Sequence, residues 1–521
     1  MARSLFVLAS TALFITLLHR LVIQPLFLSE LSKIPGPKLY ALTRWRLARD
    51  DWGQRTRTID ALHKQYGPVV RIGPNEVHFN STTALRTIYG AGSGFERTNF
   101  YAMFDVYGRK NLFTFPGVAD HAKRKRLVAH VYSKSAMLKG QPASIIAEKI
   151  RDFLQLLEKT PLGDGMEIFS TFHYYAIDVI TAFLYGTQDF GATTALHGTP
   201  IYVNLLNDIM DHSRRHLSWF AVHLPTLTAW LYTRDGLMGQ LVKPLLPMQK
   251  PATYSGIRAH ALLAMQKYRG ADVETRAKAQ ESIIARLWKM KDEAGLSDLD
   301  IASECADHLL AGIDTTSDTL MFLVWALSLP KNSHIQRKLI EECKSIDSDG
   351  ENDDIVSCAV ADRLPYLDAV IKETLRLYAP LPASEPRSSP VDTVIDGYRI
   401  PRGTVCSAAP YSLHRNAEVF PEPLRWDPER WLKDDGDIAL LEMKKWWWPF
   451  SSGARMCIGL HLAMAELALV PSIYRRFSTN IKPDFEGMAP GITSRFEVFT
   501  DETFAEMKEH ACWIQFRPHE T

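Results

Sequence analysis

A chain of 521 residues, 46% hydrophobic and 23% charged, can bury a large core, and that composition fits neither a disordered nor a collagen-like chain. Sixty Lys plus Arg against 59 Asp plus Glu leave a net charge of +1, so no global field favours nucleic acid as a partner. Six cysteines (Cys305, Cys343, Cys358, Cys406, Cys457, Cys512) lie far apart with no CxxC pair, which argues against a disulfide framework or a Cys-rich zinc site and for a reducing compartment.

The N-terminus is the most biased segment: apolar from Leu5 to Leu18, interrupted at His19-Arg20, and apolar again from Leu21 to Leu28. A bilayer needs about 20 such residues. A signal peptide is the competing reading, but no small-residue cleavage site follows before Lys33-Ile34-Pro35-Gly36-Pro37. Residues 1–32 are therefore expected to be a retained single-pass anchor, and 33–49 a proline-stiffened basic stalk. Lys33, Lys38, Arg44, Arg46 and Arg49 outnumber Arg3, which places the remainder in the cytosol. No repeat and no linker divides 50–521, so one catalytic domain is expected there.

Short strands are expected at Pro68 to Ile72 and Glu76 to Phe79. A late group, Thr393 to Ile395, Tyr398 to Ile400 and Thr404 to Ala408, reads as an antiparallel meander around Asp396-Gly397 and Pro401-Arg402-Gly403. The rest is mainly helical. The clearest helix starts near Ser297, where Ser-Asp-Leu-Asp supplies capping and first-turn acids, and runs to Leu329 before Pro330 stops it. At its middle, Ala311-Gly312 and Asp314-Thr315-Thr316 form a poor helix-forming cluster, a local conflict that points to function.

Glu373-Thr374-Leu375-Arg376 is an E-x-x-R pair on one helix face. Alone it carries little weight, since most such pairs are solvated. The strongest signal is Phe450-Ser451-Ser452-Gly453-Ala454-Arg455-Met456-Cys457-Ile458-Gly459, with spacing F-x-x-G-x-R-x-C-x-G. Gly453 and Gly459 allow tight turns and close approach to a flat cofactor. Arg455 can pair with a propionate, and Cys457 precedes a helical run whose free amides favour a thiolate.

This decamer resembles the haem-binding signature of the cytochrome P-450 family without departure at its key positions. The resemblance implies a mainly α fold with small sheets, haem b (iron protoporphyrin IX) as cofactor, and Cys457 as the iron ligand, a thiolate that favours O–O cleavage. It also matches Glu373 and Arg376 to the family's K helix. Pro428-Glu429-Arg430-Trp431 is similar to P-E-R-F, with Trp for Phe, so Arg430 would complete a buried triad supporting the haem loop. Ala311 to Thr316 resembles A/G-G-x-D/E-T-T: Gly312 leaves room for dioxygen, while Asp314 and Thr315 relay protons. By the same resemblance, Arg387, His414 and Arg455 hold the haem carboxylates. His121 and Lys125 stand at W-x-x-x-R with both residues changed, and Lys brings a point charge where Arg has a fork.

The implied reaction puts one atom of O2 into an apolar small molecule, in the manner of fungal secondary-metabolism members, at the endoplasmic reticulum membrane. No nucleotide-binding fingerprint or flavin-sized domain is present, so electrons come from a separate NADPH-dependent flavoprotein reductase, with 121–126 and Lys444-Lys445 as a docking face. Family topology puts substrate selection on Tyr101 to Phe115, Ile201 to Met238, residues before Asp314, Leu381 to Glu385 and Phe496 to Thr500. The alternatives are a haem-thiolate isomerase or dehydratase working without a reductase, against which intact Asp314 and Thr315 argue, and a non-catalytic membrane haem protein.

Overall fold

The computed structural model describes residues 2–520 except 51, 162, 199–201, 212–214, 216–218, 221–222, 225–226, 228–236, 238–240, 242–253, 347–354 and 495–496. Among these the chain is mostly helical with small sheets. Helix α1 (Ala2–Leu18) continues as a π-helical stretch, His19–Leu28, that contains Pro25. The apolar stretch Arg3–Leu28, none of it buried, is long enough to cross a membrane.

Residues 33–49 do not stand apart as a stalk. Leu31 and Ile34 pack with Val69, Val77 and Phe79, while Tyr40 and Leu47 pack with Ile59, Val70 and Ile72. Buried Arg71 reaches back to the anchor: its guanidinium donates to Pro25 O at 2.7 Å and to Pro74 O at 2.7 Å.

Strands Val69–Gly73 and Glu76–Phe79 form where their β-branched and aromatic residues alternate around Gly73-Pro74. They belong to a five-stranded sheet, followed in order by Val405–Ser407, Arg387–Ser388 and Glu96–Arg97. The late group is thus a hairpin, Thr393–Ile395 with Tyr398–Ile400, and not a three-stranded meander. Val405–Ser407 leaves it to pair in parallel with Glu76–His78, because its buried Cys406 and Ser407 belong to the larger sheet's core.

Four helices frame the site: α2 (Val118–Val128), α3 (Ile168–Tyr185), α4 (Asp298–Ser328) and α5 (Pro365–Leu377). The 31 residues of α4 run ~46 Å at 1.5 Å per residue, through the main core. Its start is closed by a capping box, the Ser297 side chain accepting from Asp300 N while Asp300 accepts from Ser297 N. The poor helix-forming cluster does not interrupt α4. Thr315, Ser317 and Thr319 turn their hydroxyls back onto Ala311 O, Ile313 O and Thr315 O at 2.8, 2.7 and 2.8 Å, so the polar cluster is satisfied inside a continuous helix.

Candidate active site

The loop carrying Cys457 is shaped by its own backbone. Gly453 has φ +66°, and a Cβ there would lie 2.2 Å from Tyr89 O. Its missing side chain therefore admits the neighbouring Tyr89–Gly90 backbone, not a cofactor as expected. Gly459 does face the cavity, with only Cys457 Sγ, at 3.9 Å, near its absent Cβ. Cys457 N donates to Phe450 O at 2.9 Å, closing the loop. The amides of Gly459 and Leu460, at the start of helix α6 (Leu460–Glu466), point at the sulfur.

Cys457 is exposed into an interior cavity of about 250 Å³ between the loop and α4. The other five cysteines are buried. Of the residues singled out in the sequence, His121, Lys125, Gly312, Thr315, Phe450, Arg455, Cys457 and Gly459 line this cavity. Asp314 does not; its carboxylate lies on the α3 side of α4, within 4.8 Å of ligand atoms of His173 and Asp318. Gly312 lines the cavity, but the space it leaves is also taken by α3: a Cβ would meet Ile180 Cγ1 at 2.6 Å.

The support expected behind the loop is assembled. Glu373 is fully buried and receives five donors: Arg376 Nε and Nη2 and Arg430 Nε at 2.8, 2.8 and 3.1 Å, and Asp427 N and Trp431 Nε1 at 2.9 Å each. Burial alone would raise its pKa, but the two guanidiniums outweigh it and hold the carboxyl below its usual range.

His414, expected as a propionate partner, lies outside the cavity. Its ring is wholly buried, Nδ1 bonds Arg376 O at 2.9 Å, and Nε2 accepts from Trp448 N at 2.8 Å. Both nitrogens are used to tie α5 to the haem loop, and burial pushes the imidazole down to about 3.

Electrostatics define the rest of the site. Arg387 and Arg97, both buried, sit directly opposite each other in an antiparallel ladder. Like charges in register are destabilising, and Glu385, paired with Arg387 at 3.1 Å, offsets part of that repulsion. Burial first, then its cationic neighbours, bring Arg97 down to about 10, Arg455 down to about 9 and His121 down to about 3. Arg387 also binds Tyr101 Oη and Glu385. Arg455 donates to Phe115 O, Pro116 O and Gly117 O at 2.6, 2.7 and 2.9 Å, and Lys125 Nζ to Ala454 O at 3.0 Å.

The thiol shows the complementary need. Burial pushes Cys457 up to about 11, above the usual thiol value, despite the two amides and Lys125. A cation at the sulfur would make it a thiolate. The site thus calls for a metal cation at one end and carboxylates at the other, within apolar walls that include Leu112, Phe113, Ile180 and Leu381. An iron porphyrin with two propionates has that chemistry, so the residues present fit haem.

Arg97, Asp307 and His308 were not singled out in the sequence, and Glu304 was read only as an acid near the helix start. Arg97 sits in no motif; only the pairing of Glu96–Arg97 with Arg387–Ser388 reveals it. Glu304 and His308 are buried four residues apart, with Asp307 between them lining the cavity, a spacing indistinguishable in sequence from a solvated helix face. Part of the expected substrate region, Ile201, much of 212–238 and Phe496, lies outside the described residues.

A family model described as Cytochrome P450 matches residues 34–488. The chain is 29% identical to Cytochrome P450 monooxygenase tazI of Aspergillus terreus, over 97% of this chain and 96% of that protein. It is 30% identical to Cytochrome P450 monooxygenase aflV of Aspergillus parasiticus, over 95% and 93%. Against Cytochrome P450 monooxygenase orf2 of Aspergillus niger the identity is 27%, over 89% and 88%.

Proposed function

Because this chain belongs to the cytochrome P450 family and is a monooxygenase, we propose that it oxidises an apolar small molecule in fungal secondary metabolism, with haem b held by Cys457. The observation that carries this reading is the Cys457 thiol, exposed into a largely apolar cavity across from Thr315, with Arg97, Lys125 and Arg455 on its lining. Arg97, Arg387 and Arg455 would hold the propionates, with His121 and Lys125 at their margin. Haem bound there supplies the iron at which O2 is reduced, one atom going to the substrate and the other to water.

The protein's own contribution is positioning and protons. Phe450 and Gly459 bound the sulfur's side of the cavity, and Gly312 and Ile180 lie on the opposite wall. Thr315 Oγ1, anchored on Ala311 O, presents its lone pairs to the cavity. Asp314, on the other side of the same turn, lies toward α3 with His173 and Asp318, so a proton from it would reach that hydroxyl only through intervening groups. Glu373, Arg376 and Arg430 act as positioning residues, reaching the site only through the loop.

Two electrons per turnover come from a separate reductase, for which an NADPH-dependent flavoprotein suits the exposed basic residues Lys123, Arg126, Lys444 and Lys445. The apolar stretch Arg3–Leu28 would anchor the enzyme in the endoplasmic reticulum, with the basic residues after it on the cytosolic side together with the catalytic body.

The decisive test is the absorption spectrum of the reduced protein with carbon monoxide. A red-shifted Soret band characteristic of a thiolate ligand is expected, and Cys457→Ala or Cys457→Ser should abolish it. A band that persists in the alanine variant overturns the assignment.

A further inference from the structure

Between α3 and α4 one imidazole and two carboxylates come together, and none of the three lines the cavity beside Cys457. A ring nitrogen of His173 and one oxygen each of Asp314 and Asp318 lie within 4.8 Å of one another. Asp314 and Asp318 are four residues apart on α4 and so share one face of it. His173 is wholly buried and Asp318 is 3% exposed, while half-buried Asp314 leaves the group partly open.

The His173 ring is held in place from its own helix. Nδ1 donates to Phe169 O, one turn back on α3, at 2.7 Å, and the ring packs on that of Phe169 with centroids 4.2 Å apart. In the neutral imidazole Nε2 then carries the lone pair, with Asp318 Oδ1 at 3.9 Å. A hydrogen bond ends near about 3.2 Å, so this pair is not one. Two ligands on one zinc ion, each at ~2.0–2.1 Å in a tetrahedral array, stand roughly 3.4 Å apart. A shared ion therefore spans His173 and Asp318 after a shift of about half an ångström. An N–H donated to a backbone carbonyl is also how a metal-binding histidine is usually oriented.

We propose that His173, Asp314 and Asp318 form a zinc site, three protein ligands with water as the fourth, that ties α3 to α4 apart from the haem. One imidazole nitrogen with two carboxylate oxygens is a set that zinc accepts, whereas calcium takes roughly six to eight oxygens. The two carboxylates balance the charge of Zn2+, which limits the cost of holding the ion among buried groups. The ion keeps Asp314 on the α3 side of the helix.

The full-length holoenzyme, stripped with EDTA and titrated with zinc chloride by isothermal calorimetry, tests the site. One equivalent should bind with a dissociation constant below about 10 µM. His173→Gln and Asp318→Asn, each checked for an intact fold by its carbon monoxide band, should weaken that equivalent by more than about a hundredfold. Absorption fine structure at the zinc edge reads the ligands in the wild type without any variant, and a shell of nitrogen and oxygen at about 2.0–2.1 Å is expected. The proposal is overturned by the lack of a tight equivalent in the wild type, by its survival in either variant, or by a sulfur shell at about 2.3 Å.

Discussion

Trp431 shows how a departure from a motif can be read at a single residue. The family pattern has Phe where this chain has Trp, and the ring alone would fill the space equally well. Its indole N–H, however, donates to Glu373 at 2.9 Å, a fifth donor to a carboxylate that has no access to water. A hydrogen bond to a buried charge contributes about 1.5–3 kcal/mol. Trp431→Phe should therefore lower stability by an amount in that range, seen as a reduced denaturation midpoint, with the carbon monoxide band retained. Glu373→Gln should be worse, because it strands two buried guanidiniums, and is expected to prevent haem incorporation, measured as haem per protein. A variant of Glu373 that loads haem normally would show that the triad does not hold the loop.

Among the elements, α4 was legible in outline and misread in its middle. Ser297, Asp300 and Pro330 fixed its ends from sequence alone, since capping and termination are local chemistry. The Gly312 cluster read as a local conflict, yet the hydroxyls satisfy themselves on carbonyls one turn back, and a Cβ at the glycine would meet Ile180 on α3. That partner lies 132 positions away in the sequence, and no local pattern encodes it. Gly312→Ala would gain about 1 kcal/mol of helix propensity but lose about 1–3 kcal/mol to overpacking. The substitution should be destabilising in the wild type, and Ile180→Ala should remove its cost; a cycle of the two variants by thermal denaturation checks the coupling. The lining of the cavity divided in the same way. Cys457, Phe450 and Arg455 were readable because they share one motif, Arg97 needed a strand pairing, and His414 looked like a ligand until both its nitrogens were found in use.

For the molecule as a whole, His414 makes stability depend on acidity. Its folded value lies at about 3, far below an ordinary imidazole, so its contribution is present above about pH 6.5 and is lost as pH falls towards the folded value. A second proton would sit on Nε2 and confront Trp448 N–H, a donor against a donor. The stability gap between wild type and His414→Gln should accordingly narrow from about pH 7 to about pH 4 in chemical denaturation; a constant gap would contradict the neutral tautomer.

The same whole-molecule view alters what the N-terminus does. From sequence, residues 33–49 read as a spacer, because proline and basic residues carry no sign of what they will touch. In the fold, Arg71 grips the carbonyl of Pro25 within the apolar stretch while Leu31 and Ile34 are packed into the sheet behind it. The apolar stretch is thus tied to the catalytic body by a hydrogen bond and by packing at its C-terminal end. With that stretch in a bilayer, as proposed above, a tilt of the one helix would be passed to the body, and bilayer thickness would bear on how the whole enzyme leans over the lipid surface.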